Sequence, residues 1–144
     1  MSERIFLDTN ILVYLFDHDS PVKQRLAREI LAKYGPTGSL LLSTQVLQEF
    51  YVTVTKKLAV PLAVEAAAQA VSDLAALPLI PIDSALILSA IRRSHMARLS
   101  FWDALIIEAA LAGKATDLYS EDLQHHQQFD GLRIVNPFLF ATST

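Results

Sequence analysis

Short apolar runs of three or four residues recur along the chain, and each is separated from the next by a segment long enough for a helix. The runs are Ile5-Phe6-Leu7, Leu40-Leu41-Leu42, Leu79-Ile80-Pro81-Ile82, Asp117-Leu118-Tyr119 and Arg133-Ile134-Val135. A strand with one wet face alternates apolar and polar residues, whereas a strand covered on both faces reads as an unbroken apolar run. Unbroken strands joined by helices predict a three-layer α/β/α sandwich with a central, mostly parallel sheet of about five short strands.

The joining segments carry helix signals of their own. Ile11 to Phe16 has the spacing of a short helix ahead of the polar turn at 17–20, and Ser20-Pro21 marks a helix start. Leu26, Ile30 and Leu31 then form the stripe of an amphipathic helix that Gly35-Pro36 closes. Ser43 or Thr44 can cap a helix whose apolar face is Leu47, Phe50, Tyr51, Val54 and Leu58. Pro61 and the alanine-rich stretch to Leu77 predict another helix, and Asp83 is the cap of one running to about Met96. Ser100 opens a helix through Leu111 that stops near Gly113. With no repeat, linker or low-complexity tract, 144 residues is the size of one domain, spanning 1–144.

Composition narrows the function. A formal net charge of -3 and a pI near 5.7 argue against indiscriminate nucleic-acid binding, so any such contact must be local. The absence of cysteine removes disulfides, thiolate metal sites and thiol nucleophiles, and leaves oxygen and histidine as ligands. Four scattered glycines make no phosphate loop. Met1-Ser2-Glu3-Arg4 runs straight into a strand without an export signal. The apolar stretch from Leu74 to Ile82 is broken by Pro78 and Pro81, well short of the ~20 residues of a membrane span. A cytoplasmic protein is expected, and a 52% apolar composition hints at a face covered by a homodimer or another protein.

In open α/β sheets the functional crevice lies beyond the carboxyl ends of the strands. Asp8 directly follows the first strand and Asp122 follows the fourth, which puts both on that edge. Asp103 stands in the first turn of its helix on the line of Ile106, Ile107 and Ala110, and so faces the core. Glu49 flanks the stripe of Leu47, Phe50 and Val54 and is less committed to burial. Each acid has an ordinary explanation: Asp103 as the acidic member of a capping box with Ser100, Asp8 and Asp122 as turn or cap residues, Glu49 as a solvated helix residue. Four carboxylates meeting at one edge, however, repel one another unless a cation neutralises them. Hard oxygen donors favour Mg²⁺ or Mn²⁺ over zinc.

Five segments then carry a resemblance to a known family. Ile5-Phe6-Leu7-Asp8-Thr9-Asn10-Ile11-Leu12, Gln48-Glu49-Phe50, Leu99-Ser100-Phe101-Trp102-Asp103-Ala104-Leu105-Ile106, Leu118-Tyr119-Ser120-Glu121-Asp122-Leu123 and Ile134-Val135-Asn136-Pro137-Phe138 resemble, in order, the motifs of PIN-domain proteins, most closely the VapC-type toxins. Each motif alone is weak, but their order and spacing over nearly the whole chain are specific. The resemblance implies an endoribonuclease dependent on Mg²⁺ or Mn²⁺, with Asp8, Glu49, Asp103 and Asp122 as its acidic quartet. It implies Asn10 and Ser120 as the polar residues that orient those acids. It also implies a toxin acting on RNA and paired with a small antitoxin. The segment His125-His126-Gln127 departs from relatives, which often carry a glycine after the first histidine; these histidines read as surface loop residues.

The chemistry suits the residues without the family name. Phosphodiester hydrolysis needs an activated water and relief of negative charge on the phosphoryl oxygens, which carboxylate-bound divalent ions supply. Asp8 and Asp103 are expected as the main ligands, with Asp122 completing the site and Glu49 holding a second ion or positioning the water. Basic residues for the RNA backbone are sparse: Arg92, Arg93 and Arg98 near one helix end, Lys56 and Lys57 at another. A haloacid-dehalogenase-like phosphatase is disfavoured because it wants an Asp where Asn10 stands. A phosphorelay receiver wants an Asp after Leu40-Leu41-Leu42, where Ser43-Thr44 stand. The alternative from another class is a PIN-like domain that binds RNA or protein without nuclease activity.

Overall fold

The computed structural model describes residues 3–139. Six strands form one sheet: β1 (Ile5–Leu7), β2 (Leu40–Ser43), β3 (Leu79–Ile80), β4 (Asp117–Tyr119), β5 (Gln128–Phe129) and β6 (Leu132–Val135), in the spatial order β3-β2-β1-β4-β6-β5. Every neighbouring pair is parallel except β5 with β6. Six α-helices connect the strands: α1 (Thr9–Val13), α2 (Pro21–Tyr34), α3 (Thr44–Lys56), α4 (Val64–Leu74), α5 (Ser84–Ala97) and α6 (Phe101–Ala112). The mostly parallel sheet flanked by helices is the expected architecture.

The unbroken apolar runs are the centre of the core. Ile5, Phe6, Leu7, Leu40, Leu41 and Leu42 are fully buried, because helices cover both faces of a parallel sheet. Val46, Phe50 and Val54 of α3 and Ile106, Ile107 and Ala110 of α6 pack into the same cluster. Gly113 ends α6 where no side chain fits easily: a Cβ there would stand 3.0 Å from Ile80 Cδ1 and 3.1 Å from Leu41 Cδ1. The Arg4 guanidinium ties down that end by donating twice to the Gly113 carbonyl.

Several boundaries differ from the sequence reading. The helix expected from Pro61 to Leu77 is α4, shorter at both ends, with Ala63 extended at its N-cap. The third strand is Leu79–Ile80 alone, since Pro81 has no N–H for the ladder; the chain then turns and the Ile82 N–H donates to Thr44 Oγ1. The helix from Ile11 to Phe16 is α1 plus one 3₁₀ turn over Tyr14–Phe16. Ser20 does not cap α2; its hydroxyl donates to Asp17. Ser43, Asp83 and Ser100 each accept a backbone N–H at the helix starts where they were expected. The unexpected strand is β5, which pairs Phe129 with Leu132 across a two-residue turn at Asp130 and Gly131, φ 51° and 89°. Positive φ at both turn residues is what matches a hairpin to strand twist.

Chain order now fixes the position of the crevice. Successive strands run outward from β1 to β2 to β3, and then the chain returns to lay β4 on the other side of β1. The carboxyl ends of β1 and β4 therefore lie side by side at the point where the winding reverses, which is where open α/β sheets bind their ligands.

Candidate active site

Leu7 pairs with Tyr119 in the β1/β4 ladder, so the next residues, Asp8 and Ser120, emerge together. The Asp8 N–H continues the ladder to the Tyr119 carbonyl at 3.0 Å. Ser120 Oγ donates to Asp8 Oδ2 at 2.8 Å, and the other oxygen, Oδ1, accepts the Thr9 N–H at 2.7 Å as the cap of α1. Ser120 Oγ also accepts the N–H groups of Asp122 and Leu123, so this fully buried hydroxyl shapes the loop that carries Asp122. Ser120, expected to orient the acids, thus stands in contact with Asp8 and with the backbone of Asp122.

Asp8 is 7% exposed. Burial pushes its carboxyl up from 3.8 to about 6, against the hydrogen bonds from Ser120 and Thr9, and the charges of Asp122 and Glu49 push in the same direction. Asp122 is exposed; partial desolvation raises its pKa, followed by the charge of Asp103, while the Asn10 amide that donates to it at 2.9 Å lowers it. These acids therefore sense one another across the cleft, as repelling carboxylates do.

Glu49, expected to be less committed to burial than the other acids, is anchored by side chains. It is a half-buried residue with both oxygens held: Oε1 accepts the Thr9 hydroxyl at 2.7 Å and Oε2 accepts the Gln45 amide at 3.3 Å. Asp103 is where the sequence reading needs correcting. Its helix neighbours Ile106, Ile107 and Ala110 are buried, but Asp103 itself is only half-buried and faces the cleft rather than the core. Its backbone N–H is capped by Ser100 at 3.1 Å.

All four acids, with Asn10, line one open cleft of about 500 Å³ together with Thr9, Gln45, Gln48, Val52, Thr53, Lys57, Trp102 and Ile106. Among the described residues no three acidic or histidine side chains come close enough together to make a ready metal cage. The donor set nevertheless fits a hard divalent cation: it is all oxygen, one member is buried against its own charge, and the members repel. A buried acceptor is also left over. Gln45 is 3% exposed; its amide nitrogen donates to Glu49 and to the Trp102 carbonyl, and its Oε1 has no partner. Exchanging the two amide atoms would put oxygen against two acceptors, so the orphan oxygen is intrinsic to the site.

The basic residues lie elsewhere. Neither Arg92, Arg93, Arg98 nor Lys56 lines the cleft; Lys57 does. Arg93 is occupied by Glu108 and Asp130, each at 2.7 Å, and Arg92 donates to Ser89. Arg98 takes the left-handed conformation that ends α5. Their expected role on RNA gains no support from these positions. His125 accepts the Asn136 N–H and packs beside His126, outside the cleft lining.

Missed by the sequence reading are Thr9, Gln45 and Trp102. Gln45 and Glu49 are an i, i+4 pair, which is the signal that could have found the first contact. Thr9 and Trp102 carry no signal beyond adjacency to Asp8 and Asp103.

Comparison with known proteins agrees with this fold. A family model described as PIN domain matches residues 5–130. Among solved structures, a toxin–antitoxin complex from Klebsiella pneumoniae superposes with a TM-score of 0.68 at 20% identity, covering 92% of this chain and 97% of that one. Mycobacterium tuberculosis VapC20, a toxin that cleaves the sarcin–ricin loop, gives 0.64 at 20% identity over 82% of this chain and 89% of that one. DNA-bound VapBC from Salmonella typhimurium gives 0.63 at 19%, over 92% and 97%. No curated protein matches the chain. At such identities these structures share the fold.

Proposed function

Because the chain belongs to the PIN-domain family, we propose that it is an endoribonuclease dependent on Mg²⁺ or Mn²⁺ and the toxin of a toxin–antitoxin pair. The observation that carries the reading is the convergence of Asp8, Glu49, Asp103 and Asp122 on one cleft at the reversal point of the sheet. The toxin assignment draws support from structural neighbours that are toxin–antitoxin complexes.

Asp8, Asp103 and Asp122 are the residues that would hold the ion, with Glu49 holding a second or orienting the water. A bound divalent ion supplies an activated water and neutralises charge on the phosphoryl oxygens. The chain's own residues prepare for that. Ser120 and the Thr9 N–H fix both oxygens of Asp8, Thr9 and Gln45 fix both of Glu49, and Asn10 fixes Asp122. Water adds at phosphorus, the P–O bond to the leaving nucleotide breaks, the proton lost by water passes to a cleft carboxylate, and the departing oxygen takes up a proton from solvent. Lys57 at the cleft margin provides a cation for the RNA backbone.

The second reading, a module that binds RNA or protein without cutting, is favoured by the spacing of the acids, which form no ready cage. One assay separates them. Purified protein is incubated with a labelled RNA in Mn²⁺, in Mg²⁺ and in EDTA, beside Asp8→Asn. Cleavage that needs the ion and is lost in Asp8→Asn supports the nuclease. Binding without cleavage, or cleavage that survives Asp8→Asn, removes it. Growth arrest on expression, relieved by Asp8→Asn and by a small protein that copurifies, tests the toxin assignment. A homodimer and a cytoplasmic location remain part of the proposal. Ile87, Leu88 and Ile91, exposed on α5, supply apolar surface for a second copy. No described helix is long and apolar enough to cross a membrane.

A further inference from the structure

Trp102 is 61% exposed although tryptophan is a costly residue to leave in water, and it stands at the margin of the acidic cleft directly before Asp103. Its placement is fixed from two sides. The buried Gln45 amide donates to its carbonyl at 3.2 Å, and its ring packs edge to face on Phe101 with centroids 5.1 Å apart at 75°. The indole N–H has no partner among the described residues. The same cleft is lined by Val52 and Thr53 and by Lys57, the one basic side chain among the described residues that line it. An open aromatic surface, a lone cation and a cluster of acids in one cleft match the parts of a nucleotide: the base has a π-face to stack, and the phosphate has a charge to meet Lys57 and any ion the acids hold.

We propose that Trp102 is a specificity-determining residue whose indole stacks on one unpaired base next to the scissile phosphate, and that this side chain is the contact through which the cleft senses strandedness. The inference rests on the nuclease reading above. In a duplex both faces of each base are already stacked, so the indole has nothing to cover. Stacking on an aromatic side chain tolerates any base, so Trp102 selects strandedness and leaves sequence to other contacts.

The chain has a single tryptophan, so its fluorescence reports this one position. Asp8→Asn protein, which binds without cutting, is titrated with a ten-nucleotide single-stranded RNA and with the same sequence as a duplex. Tryptophan emission reads stacking, and anisotropy of a labelled copy reads binding by any means. The expected result is quenching by the single strand and not by the duplex. Adding Trp102→Ala should weaken single-strand binding by about 5- to 150-fold, the ~1–3 kcal/mol of one base stack, while Trp102→Phe stays within a few-fold of the parent. In otherwise native protein, Trp102→Ala should raise KM for single-stranded RNA far more than it lowers kcat. Binding by anisotropy with no quenching and no loss in Trp102→Ala overturns the inference and leaves the nuclease standing. An indole already shielded from acrylamide in the free protein assigns Trp102 to a protein contact and overturns it too. Neither binding nor cleavage of any RNA overturns the nuclease reading and this inference together.

Discussion

The Thr9 hydroxyl donates to Glu49 Oε1 at 2.7 Å while the Thr9 backbone N–H holds Asp8 Oδ1 at the same distance, so one residue couples the acid that follows β1 to the acid on α3. Removing only the hydroxyl should uncouple them. Thr9→Val keeps the volume of this buried side chain, and Glu49 loses the donor that sets its rotamer. Residues that orient metal ligands typically contribute 10–100-fold to affinity or activity. We expect Thr9→Val to lower RNA cleavage about tenfold with the fold intact by circular dichroism, and Thr9→Ser to restore most of it. Full activity in Thr9→Val would show that Glu49 needs no such anchor.

Asp8 makes the ion-free protein sensitive to pH. Its pKa in the fold, about 6, lies above the 3.8 of the unfolded chain, so the native state binds the extra proton between those values. Its contribution to stability is therefore fully present below pH 3.8 and is lost as pH rises through 6. The loss amounts to at most ~3 kcal/mol. In EDTA, urea unfolding midpoints at pH 4.5 and 7.5 should differ more for the native protein than for Asp8→Asn, in which the titrating group is gone. Identical pH slopes in the two proteins would mean that Asp8 is not held against its own charge.

These two residues also mark what was legible in the sequence. Asp8 could be placed because it directly follows a short strand, whereas Ser120 entered only through the family resemblance; register sets the two side by side once the strands are neighbours. The half-burial of Glu49 was hidden because its environment comes from Thr9, 40 positions away, rather than from its own helix stripe. Asp103 misled for the opposite reason: its helix neighbours are buried, but the first turn of α6 opens onto the cleft. Strand β5 was readable in principle from Asp130-Gly131, a hairpin turn signal, yet two residues of strand give no alternation to notice. Arg93 could not be read at all, since its partners lie 15 and 37 positions along the chain.

Arg93 is placed as a tie between elements. It joins α5 to Glu108 on α6 and to Asp130 in the β5–β6 turn, with its side chain 18% exposed. Asp130 is open to water, so Glu108 dominates the cost of losing the arginine. Arg93→Ala should destabilise the protein by about 1–2 kcal/mol, less than a fully buried pair because solvent screens part of it. RNA affinity and its dependence on salt should not change. The measurement is a urea midpoint beside a salt series of RNA binding. A shallower salt slope with unchanged stability would return Arg93 to the RNA interface.

Cation binding should offset the repulsion among the four carboxylates. A ligand bound only by the folded state stabilises it by about 2.7 kcal/mol at a hundred times its Kd, which for a chain of this size raises Tm by roughly 5–10 °C. Mn²⁺ should produce such a shift at pH 7.5, and Asp8→Asn should abolish most of it. The shift should also shrink below pH 6, because the proton that Asp8 retains there competes with the ion. Asp122, raised in the same direction by desolvation and by Asp103, strengthens that competition. A Mn²⁺ shift that is equal at pH 5 and 7.5, or that survives Asp8→Asn, would place the ion somewhere other than the four-acid cleft.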